Sequence, residues 1–309
     1  MDIVESLPPL PPRAPEGHKG TFGSVLVVGG HAANPVMLGG PALAARAALR
    51  SGCGLCTLAM PAPLLAGALA VASSATGCAL PVGPDGALDA SGSAEALDPP
   101  LARADAVVIG PGMGGGFPVQ QLVLRVASSA AVPVVIDADG LNALAASPAF
   151  ALEMRAPIAI TPHPGEFRRL AESLGLELDP IDPVTRTRAA AGLAARLGCV
   201  VVLKGARTVV SDGLRCWVCT AIEPALATGG SGDALGGVLA GLAAQFVRAD
   251  AARPITLFDA ACLAVQLHAD SAARWAGTHG HAGMLAQEIA DGIPDAMAAR
   301  RARVDVSRT

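Results

Sequence analysis

The sequence contains no tyrosine, and aromatic residues make up only 3% of its 309 residues. Hydrophobic residues nevertheless account for 52%, so the interior must be filled mainly by Ala, Val and Leu. Such an interior suits a buried parallel sheet that is covered by alanine-rich helices. The length is sufficient for one large domain or two small ones, with ample core in either case. The scarcity of aromatic residues therefore favours a layered α/β protein.

Charged residues are also scarce, at 16%, and the formal net charge is −4. No basic run of any length is present, and Arg300, Arg301 and Arg303 form a short tail at best. Proteins that bind nucleic acids present clustered Lys and Arg side chains to the phosphate backbone. The charge pattern therefore argues against nucleic acid as a partner.

One long stretch lacks charge altogether, because no charged residue occurs between Arg50 and Asp85. Prolines that include Pro61, Pro63 and Pro81 interrupt this stretch, so it predicts a strand, a turn and a short buried helix rather than a membrane span. The first six residues lack a positive region followed by an apolar core, which is the pattern of a secretory signal. We expect a cytoplasmic protein with no membrane partner.

The seven cysteines are an odd number, which argues against a complete disulfide framework. Two Cys-x-x-Cys pairs occur, Cys53 with Cys56 and Cys216 with Cys219. Both pairs lie in apolar runs that predict strands, where residues three apart point to opposite faces and do not easily share a metal. We therefore predict buried thiols.

Short apolar runs alternate with alanine-rich helical stretches along most of the chain. The runs that predict strands are Val25–Val28, Gly54–Ala59, Ala106–Ile109, Val132–Ile136, Ile158–Ile160 and Val200–Leu203. The stretches that predict helices include Pro41–Ser51, Leu141–Ala146, Gly165–Leu174 and Val184–Leu197. This alternation is typical of an α/β protein with a mostly parallel central sheet and crossover helices on both faces.

Small, polar and ionisable residues follow five of the predicted strands. These segments are Gly29–His31, Gly110–Gly114, Asp137–Gly140, Thr161–Glu166 and Lys204–Gly205. Ligands of open α/β sheets bind beyond the carboxyl ends of the strands. We therefore expect the five segments to form the rim of an active site.

Several rim residues allow two interpretations. Asp137 and Asp139 suit a metal or phosphate site, but Asp139 is better explained as the cap of a helix that begins at Leu141. Glu166 either helps to hold magnesium through water or lies on a first helical turn, where the dipole favours acids. The sequence does not determine whether Asn142 faces the cleft.

A glycine-rich segment, Ala227–Asp233, leads directly into an apolar stretch that contains no proline and predicts a helix. Small residues let backbone N–H groups approach an anion, and a helix N-terminus adds partial positive charge. Asp233 at this place is suited to accept a proton from a hydroxyl that is being phosphorylated. The segment alone is equally compatible with a plain N-cap, because Asp is a favoured cap and Gly a favoured turn residue.

These motifs occur in the order that is found in one known family. The matching segments are His18–Gly30, Ala47–Gly54, Gly110–Gly114, Asp137–Asn142, Thr161–Glu166, Lys204–Gly205, Ala227–Asp233 and Ala282–Ala286. Through them the chain resembles the ADP/ATP-dependent NAD(P)H-hydrate dehydratases, the carbohydrate-kinase-like domain of nicotinamide nucleotide repair within the ribokinase-like superfamily. The resemblance covers nearly the whole chain and implies a ribokinase-like three-layer α/β/α fold.

The resemblance implies a reaction in two stages. In that family the ring hydroxyl of spontaneously hydrated NADH or NADPH, in its S form, is phosphorylated by ADP or ATP with Mg²⁺. Phosphate then leaves and the dihydronicotinamide is regenerated. Hydroxide is a poor leaving group, whereas phosphate leaves readily when the ring nitrogen donates electrons to the neighbouring carbon. The protein need only position two phosphate-bearing ligands, stabilise charge and remove one proton.

The resemblance also implies roles for particular residues. Asp233 would be the catalytic base, and it would contact the substrate together with Gly40, Gly112 and His163. The nucleotide-binding residues would be Lys204, Gly205, Ala206, Arg207, Thr208, Gly230, Ser231 and Gly232. No residue is assigned as a metal ligand. Plain structural explanations exist for three of these residues: His163 as a rigid residue between two prolines, Lys204 as a solvated strand end, and Gly112 as a turn.

Two positions depart from the family pattern. Gly40-Pro41 stands where members commonly have Ala-Pro, a small exchange that should be tolerated. Glu223-Pro224 stands where members usually have Asn-Pro, and a carboxylate near the nucleotide would repel phosphate unless it turns outward or binds a cation. We expect Glu223 to affect nucleotide affinity or donor preference. Bacterial members typically use ADP.

The resemblance predicts one ribokinase-like domain at residues 18–299, between an N-terminal lead-in (1–17) and a disordered C-terminal tail (300–309). Family members tend to form tetramers or larger assemblies, so a homo-oligomer is expected. Two other functions remain open. One is a small-molecule kinase of the same superfamily that retains its phosphorylated product, for example on a vitamin precursor. The other is a non-catalytic sensor of adenine nucleotides.

Overall fold

A computed structural model describes residues 1–147, 149–251 and 253–306. The strands of the described residues are β1 (Asp2–Ile3), β2 (Ser24–Val28), β3 (Leu55–Pro61), β4 (Thr76–Leu80), β5 (Ala106–Ile109), β6 (Val134–Ile136), β7 (Ile158–Ile160), β8 (Val200–Leu203), β9 (Val209–Ser211) and β10 (Arg215–Val218). The helices are α1 (Gly39–Arg50), α2 (Ala62–Val71), α3 (Ala90–Leu101), α4 (Phe117–Ser129), α5 (Asp139–Ala145), α6 (Phe150–Glu153), α7 (Pro164–Ser173), α8 (Arg186–Leu197), α9 (Ser231–Phe246), α10 (Leu257–His279) and α11 (Ala286–Val306). A short 3-10 helix spans Pro224–Leu226.

The strands form a single sheet in the order β1-β10-β9-β8-β7-β6-β5-β2-β3-β4. The seven strands from β8 to β4 in this order are all parallel, whereas β9 is antiparallel to both β8 and β10. All six predicted strands are present, and the prediction of a mostly parallel sheet is confirmed. The carboxyl ends of the parallel strands consequently meet at one edge of the sheet.

The core lies in two layers, one on each face of the sheet. Alternate residues of β2 show this division, because Val25 and Val27 belong to one cluster and Leu26 and Val28 to the other. The first cluster contains side chains of α1, α9, α10 and α11, and the second contains side chains of α3, α4, α5, α7 and α8. The predicted three-layer α/β/α arrangement is therefore confirmed.

Helices α1 and α9 pack unusually closely, and two glycines of α9 allow it. A Cβ on Gly237 would lie 2.1 Å from the Ala44 carbonyl oxygen, and a Cβ on Gly241 would lie 2.7 Å from that of Ala48. Any larger residue at these positions would push the two helices apart. This contact holds the N-terminal end of α9 beside the N-terminal end of α1.

Helix α2 differs from its prediction as a buried helix. Only Ala68 is fully buried, and its leucines are half-buried against the core. The helix connects β3 to β4, and β4 is the edge strand of the sheet. A helix at that edge can pack one face only, so its other apolar residues remain exposed.

The two ends of the chain are more ordered than their sequences predict. Within the lead-in, β1 pairs with β10 and extends the sheet. The prediction of a disordered tail is wrong for residues 300–306, because they continue α11. Residues 307–309 lie outside the described residues. Ala and Arg are strong helix formers, and Arg301 Nη2 donates a hydrogen bond to the Pro11 carbonyl at 3.2 Å.

Candidate active site

The glycine-rich segment forms the N-terminus of α9, and Asp233 does not cap it. The N-cap is Gly230, whose φ of +87° lies in the left-handed region that favours glycine. Asp233 is the third residue of the helix, and among the described residues its carboxylate takes part in none of the hydrogen bonds. The N-cap interpretation is therefore wrong. The Ser231 N–H donates to the Thr228 carbonyl at 3.3 Å, whereas the N–H groups of Gly232 and Asp233 remain available to an anion.

The Asp233 carboxylate lies against the first turn of α1. A Cβ on Gly40 would lie 3.0 Å from Asp233 Oδ1 and 3.1 Å from Oδ2. The pKa of Asp233 is raised to about 7, mainly by burial and next by the carboxylate of Asp137, while Lys204 opposes the change. A carboxyl group with such a pKa can accept a proton near neutral pH.

Lys204 is held in a network of carboxylates rather than in solvent. Its Nζ lies 2.7 Å from Asp137 Oδ1 and 3.8 Å from Glu166 Oε2, and the Asp137 side chain is only 1% exposed. Burial lowers the pKa of Lys204, but Asp137 and Glu166 outweigh this effect and raise it. A Cβ on Gly232 would lie 3.2 Å from the Lys204 Nζ, so the ammonium group lies beside the N-terminus of α9. The solvated-terminus interpretation of Lys204 is wrong.

His163 and Glu166 form a reciprocal cap at the start of α7. His163 Nδ1 accepts hydrogen bonds from the backbone N–H groups of Gly165 and Glu166, and Glu166 Oε2 accepts one from the His163 N–H at 2.7 Å. Glu166 is therefore both on the first helical turn and beside Lys204. Burial raises its pKa to about 6. The cap fixes the His163 ring while half of its side chain remains exposed.

The interpretation of Asp139 as a helix cap is wrong. Helix α5 begins at Asp139 itself, and its N-cap, Ala138, makes no side-chain capping bond. Asp139 Oδ2 instead accepts a hydrogen bond at 2.9 Å from the N–H of Gly114, in the loop after β5. Asn142 bridges Asp139 and Arg169. These contacts fix the loop that contains Gly112.

A cavity of about 530 Å³ lies beside the N-terminus of α9. The predicted site residues that line it are His163, Lys204, Gly205, Ala206, Thr208, Ser231 and Gly232. Arg207 and Gly230 do not line it; Arg207 is exposed, and Gly230 is turned toward Leu43. The structure thus brings most of the predicted nucleotide residues to one cavity.

Gly40 and Gly112 lie outside this cavity but adjoin each other. A Cβ on Gly112 would lie 3.9 Å from Pro41 Cδ, and Gly40 contacts Asp233. The φ of Gly112 is +58°, so the turn interpretation is correct for its backbone. Asp233 therefore stands between the cavity and the segment that contains the two glycines.

Sequence reasoning missed His268, a buried residue of α10 that lines the cavity. Its Nε2 lies 2.9 Å from the Ser231 carbonyl oxygen and 3.2 Å from Ser231 Oγ. The carbonyl only accepts, so Nε2 carries the proton. Burial lowers the pKa of His268 to about 4, and the ring is neutral. A lone histidine within an apolar helix gives no sequence signal of this contact.

Glu223 also lines the cavity, and its carboxylate is engaged by two donors. Oε1 accepts a hydrogen bond from the Ala225 N–H at 3.0 Å and lies 2.9 Å from His281 Nδ1. These hydrogen bonds keep the pKa of Glu223 below its usual value. We expected Glu223 to turn outward or to bind a cation. In the structure its carboxylate instead pairs with His281.

Most of the cysteines belong to the core, and Cys219 also lines the cavity. All seven are free, and burial raises the pKa of the Cys53 thiol to about 12. Cys56, Cys216 and Cys219 are also buried, which confirms the prediction for both Cys-x-x-Cys pairs. Across the described part of the chain, no helix combines the length and apolar character that crossing a membrane would require.

The fold and the site together define a class of protein. The mostly parallel sheet and the two helical layers are those of a ribokinase-like α/β/α protein. A ribokinase-like superfamily protein from Enterococcus faecalis superposes with a TM-score of 0.77 at 25% identity, over 94% of this chain and 92% of that one.

Sequence comparison narrows the class to one family. The model of the carbohydrate-kinase-like NAD(P)H-hydrate dehydratase family matches residues 25–295, and the chain therefore belongs to this family. The ADP-dependent (S)-NAD(P)H-hydrate dehydratase of Xanthomonas campestris is 36% identical over 291 residues, which cover 93% of this chain and 91% of that protein.

A solved structure and a second group of relatives agree with this placement. The ADP/ATP-dependent NAD(P)H-hydrate dehydratase of Bacillus subtilis, co-crystallised with ATP and Mg²⁺, superposes with a TM-score of 0.73 at 29% identity, over 94% of this chain and 95% of that one. Curated bifunctional NAD(P)H-hydrate repair enzymes also match, and the chain spans about half of their length.

Proposed function

We propose that the chain catalyses the ADP- or ATP-dependent dehydration of the S form of hydrated NADH or NADPH. The observation that carries this proposal is the Asp233 carboxylate, which has a pKa of about 7 and no hydrogen bond within the described residues. It lies between the anion-binding turn of α9 and Gly40. The substrate class follows from the family and from the names of its relatives.

The nucleotide would occupy the cavity with its phosphates at the N-terminus of α9. The backbone N–H groups of Gly232 and Asp233 and the Lys204 ammonium group would supply positive charge there. His268 holds the Ser231 backbone, so the donors are fixed before the ligand arrives. Fixed donors stabilise charge that develops during transfer without further reorganisation.

Phosphoryl transfer would need one proton acceptor on the substrate side. The hydroxyl oxygen of the hydrated ring forms a bond to the terminal phosphorus while the bond from that phosphorus to the leaving nucleotide oxygen breaks. Asp233 accepts the hydroxyl proton as the new bond forms. With ADP as donor, the products of this stage are AMP and a phosphorylated hydrate.

Elimination would complete the reaction without a further protein nucleophile. The ring nitrogen donates its electron pair to the carbon that carries the phosphate, and the carbon–oxygen bond breaks to release phosphate. Loss of a proton from the adjacent ring carbon then restores the double bond of the dihydronicotinamide. The net change is removal of water at the expense of one phosphoanhydride bond.

The residues fit a Mg²⁺ ion that arrives with the nucleotide. Within the described ranges no group of three or more His, Cys, Asp or Glu side chains could hold a metal alone. Nucleotide-bound Mg²⁺ keeps several waters and needs only one or two carboxylates. Glu166 and Asp137, which flank Lys204, would hold the ion through water. When bound, the ion would neutralise charge on the phosphates.

Turnover of authentic substrate tests the proposal. The protein is mixed with NADH hydrate and MgCl₂, with ADP or ATP, and the absorbance of the regenerated dihydropyridine is followed while AMP or ADP and phosphate are measured. We expect recovery of NADH with stoichiometric phosphate, and none when EDTA replaces MgCl₂. A stable phosphorylated product would indicate a kinase, and binding of nucleotide without turnover would indicate a sensor.

We further propose that the chain acts in the cytoplasm as a homo-oligomer. All seven cysteines are free thiols, which suits a reducing compartment. The exposed face of α2 is apolar and lies within the stretch from 51 to 84 that lacks charge, so a second copy is a suitable cover for it. Sedimentation of wild type and of Ala66→Glu should show an assembly that the variant weakens.

A further inference from the structure

The Glu223 carboxylate presents one unused oxygen at the wall of the nucleotide cavity. Both of its hydrogen bonds go to Oε1, from the Ala225 N–H and from His281 Nδ1. Oε2 makes none of the hydrogen bonds of the described residues, and it is not among their buried unpartnered atoms. The side chain as a whole is only 8% exposed and Glu223 lines the cavity, so an acceptor without a partner is held beside the space that the nucleotide would fill.

An adenine nucleotide has two groups that could donate to this oxygen, the ribose hydroxyls and the amino group of the base, and the cavity favours the ribose. The phosphates repel a carboxylate, and they are drawn to Lys204 and the N-terminus of α9. Much of the remaining wall is apolar, which suits a purine; Ala221, Leu226, Leu235, Val265 and Ala269 contribute to it. The ribose lies between phosphate and base, and its two hydroxyl groups are donors for which a carboxylate is a strong acceptor.

We propose that Glu223 binds the ribose hydroxyls of the adenine nucleotide and thereby selects ribonucleotides over deoxyribonucleotides. This inference rests on the proposed function of the cavity as the nucleotide site. It also removes the conflict of a carboxylate in a phosphate-binding cavity, because the carboxylate then contacts the neutral part of the ligand.

His281 acts as a positioning residue for this contact. It lies in the loop between α10 and α11, and its own side chain is 68% exposed. The glycines on either side of this segment, Gly280 and Gly283, have φ values of +86° and +90°. The pairing with Nδ1 joins this loop to the cavity wall and occupies Oε1, which leaves Oε2 as the oxygen without a hydrogen bond.

Calorimetric titration of the full chain with nucleotide and MgCl₂ tests the proposal. We expect ADP to bind about tenfold more tightly than 2′-deoxy-ADP, 3′-deoxy-ADP or both, the size of one hydrogen bond to a charged group. In Glu223→Ala this preference should fall to near unity. In Glu223→Gln it should fall to an intermediate value. Glu95→Gln changes an exposed acid of α3, and it should retain the full preference.

The His281 variants separate positioning from a general structural effect. His281→Ala should reduce the preference for ADP over the deoxy analogues, and His281→Asn should restore it because the amide nitrogen can replace Nδ1. Thermal unfolding of each variant without ligand establishes that the fold is retained. A preference that is equal in His281→Ala and wild type overturns the positioning role.

Three results would overturn the ribose assignment. The first is an equal preference in Glu223→Ala and wild type. The second is a gain in affinity for ADP and both deoxy analogues alike in Glu223→Ala, which would mean that the carboxylate only repels phosphate. The third is a wild-type preference for ADP over inosine diphosphate that Glu223→Ala removes, which would assign the carboxylate to the base. Absence of hydrate turnover would instead refute the proposed function, since these titrations do not depend on turnover.

Discussion

The Asp233 carboxylate and Gly40 are in direct contact, so that a Cβ on residue 40 would lie 3.0 Å from Asp233 Oδ1. The two residues are nearly 200 positions apart in sequence, and they meet because α1 and α9 pack through glycine. Because Gly40 has no Cβ, there is space beside the Asp233 carboxylate, the proposed base.

Replacing this glycine tests the contact. Gly40→Ala should place a methyl group against the carboxylate, desolvate it and move the half-maximal pH of kcat/KM upward, with a small loss of folding stability above pH 7. Gly39→Ala is the matched control, because nothing lies within 4 Å of a Cβ at residue 39. Identical pH profiles for the two variants would contradict the contact. The prediction that glycine is tolerated at residue 40 in place of alanine concerns activity, and the same measurements address it.

The pH dependence of catalysis should report the Asp233 carboxyl group. The base must be deprotonated, and burial with the Asp137 charge raises its pKa to about 7. We therefore expect kcat/KM to rise with pH and to reach half of its maximum near pH 7 in the free enzyme. A rate that stays constant between about pH 5 and 9 would be incompatible with this assignment.

Folding stability should also depend on the protonation of Asp233. Catalysis requires the deprotonated carboxylate, whereas the folded state favours the protonated form. The pKa of Asp233 is raised in the folded state above the ordinary 3.8, so its contribution to stability is full below that value and is lost as pH rises through about 7. Asp233→Asn should then stabilise the ligand-free protein at pH 8 by on the order of 1–3 kcal/mol and by much less at pH 4. Denaturant unfolding at both pH values measures this, with the exposed Asp295→Asn as control. Equal effects at both pH values would exclude the raised pKa.

The contributions of Lys204 and Asp137 to folding stability should be strongly coupled, because the two side chains form an ion pair. Lys204→Met removes the cation and leaves a carboxylate that is 1% exposed without its partner, at a cost of about 2–4 kcal/mol at pH 7. The double variant Lys204→Met/Asp137→Asn should recover part of that loss, and chemical denaturation of the four proteins gives the coupling. Additive effects would show that the two side chains do not interact.

Much of the fold was predictable because the parallel strands are buried on both faces. The runs from Val25 and from Val200 are continuous in aliphatic residues, and periodicity identifies such runs without any tertiary information. The short strands at the sheet edges were less visible. β1 has two residues, and β4 contains Gly77 within Thr76–Leu80, so neither has a pattern that separates it from a loop.

The sequence predicted which segments after the strands form the site. It predicted few of the contacts that their side chains make. The order of motifs led to Asp233, Lys204 and His163, and the last two were then found in the same cavity. The pairings of Glu223 with His281 and of Ser231 with His268 join residues 58 and 37 positions apart. Such contacts depend on how helices pack, and no local sequence signal encodes them.

The most direct measurement compares Asp233→Asn with wild type in the hydrate dehydration assay, alongside calorimetric binding of ADP. The account predicts that turnover falls by about two to four orders of magnitude, as for loss of a general base, while ADP affinity largely survives. Asp295→Asn should behave as wild type in both assays. Turnover near the wild-type rate in Asp233→Asn, with binding intact, would contradict the assignment of Asp233 as the base.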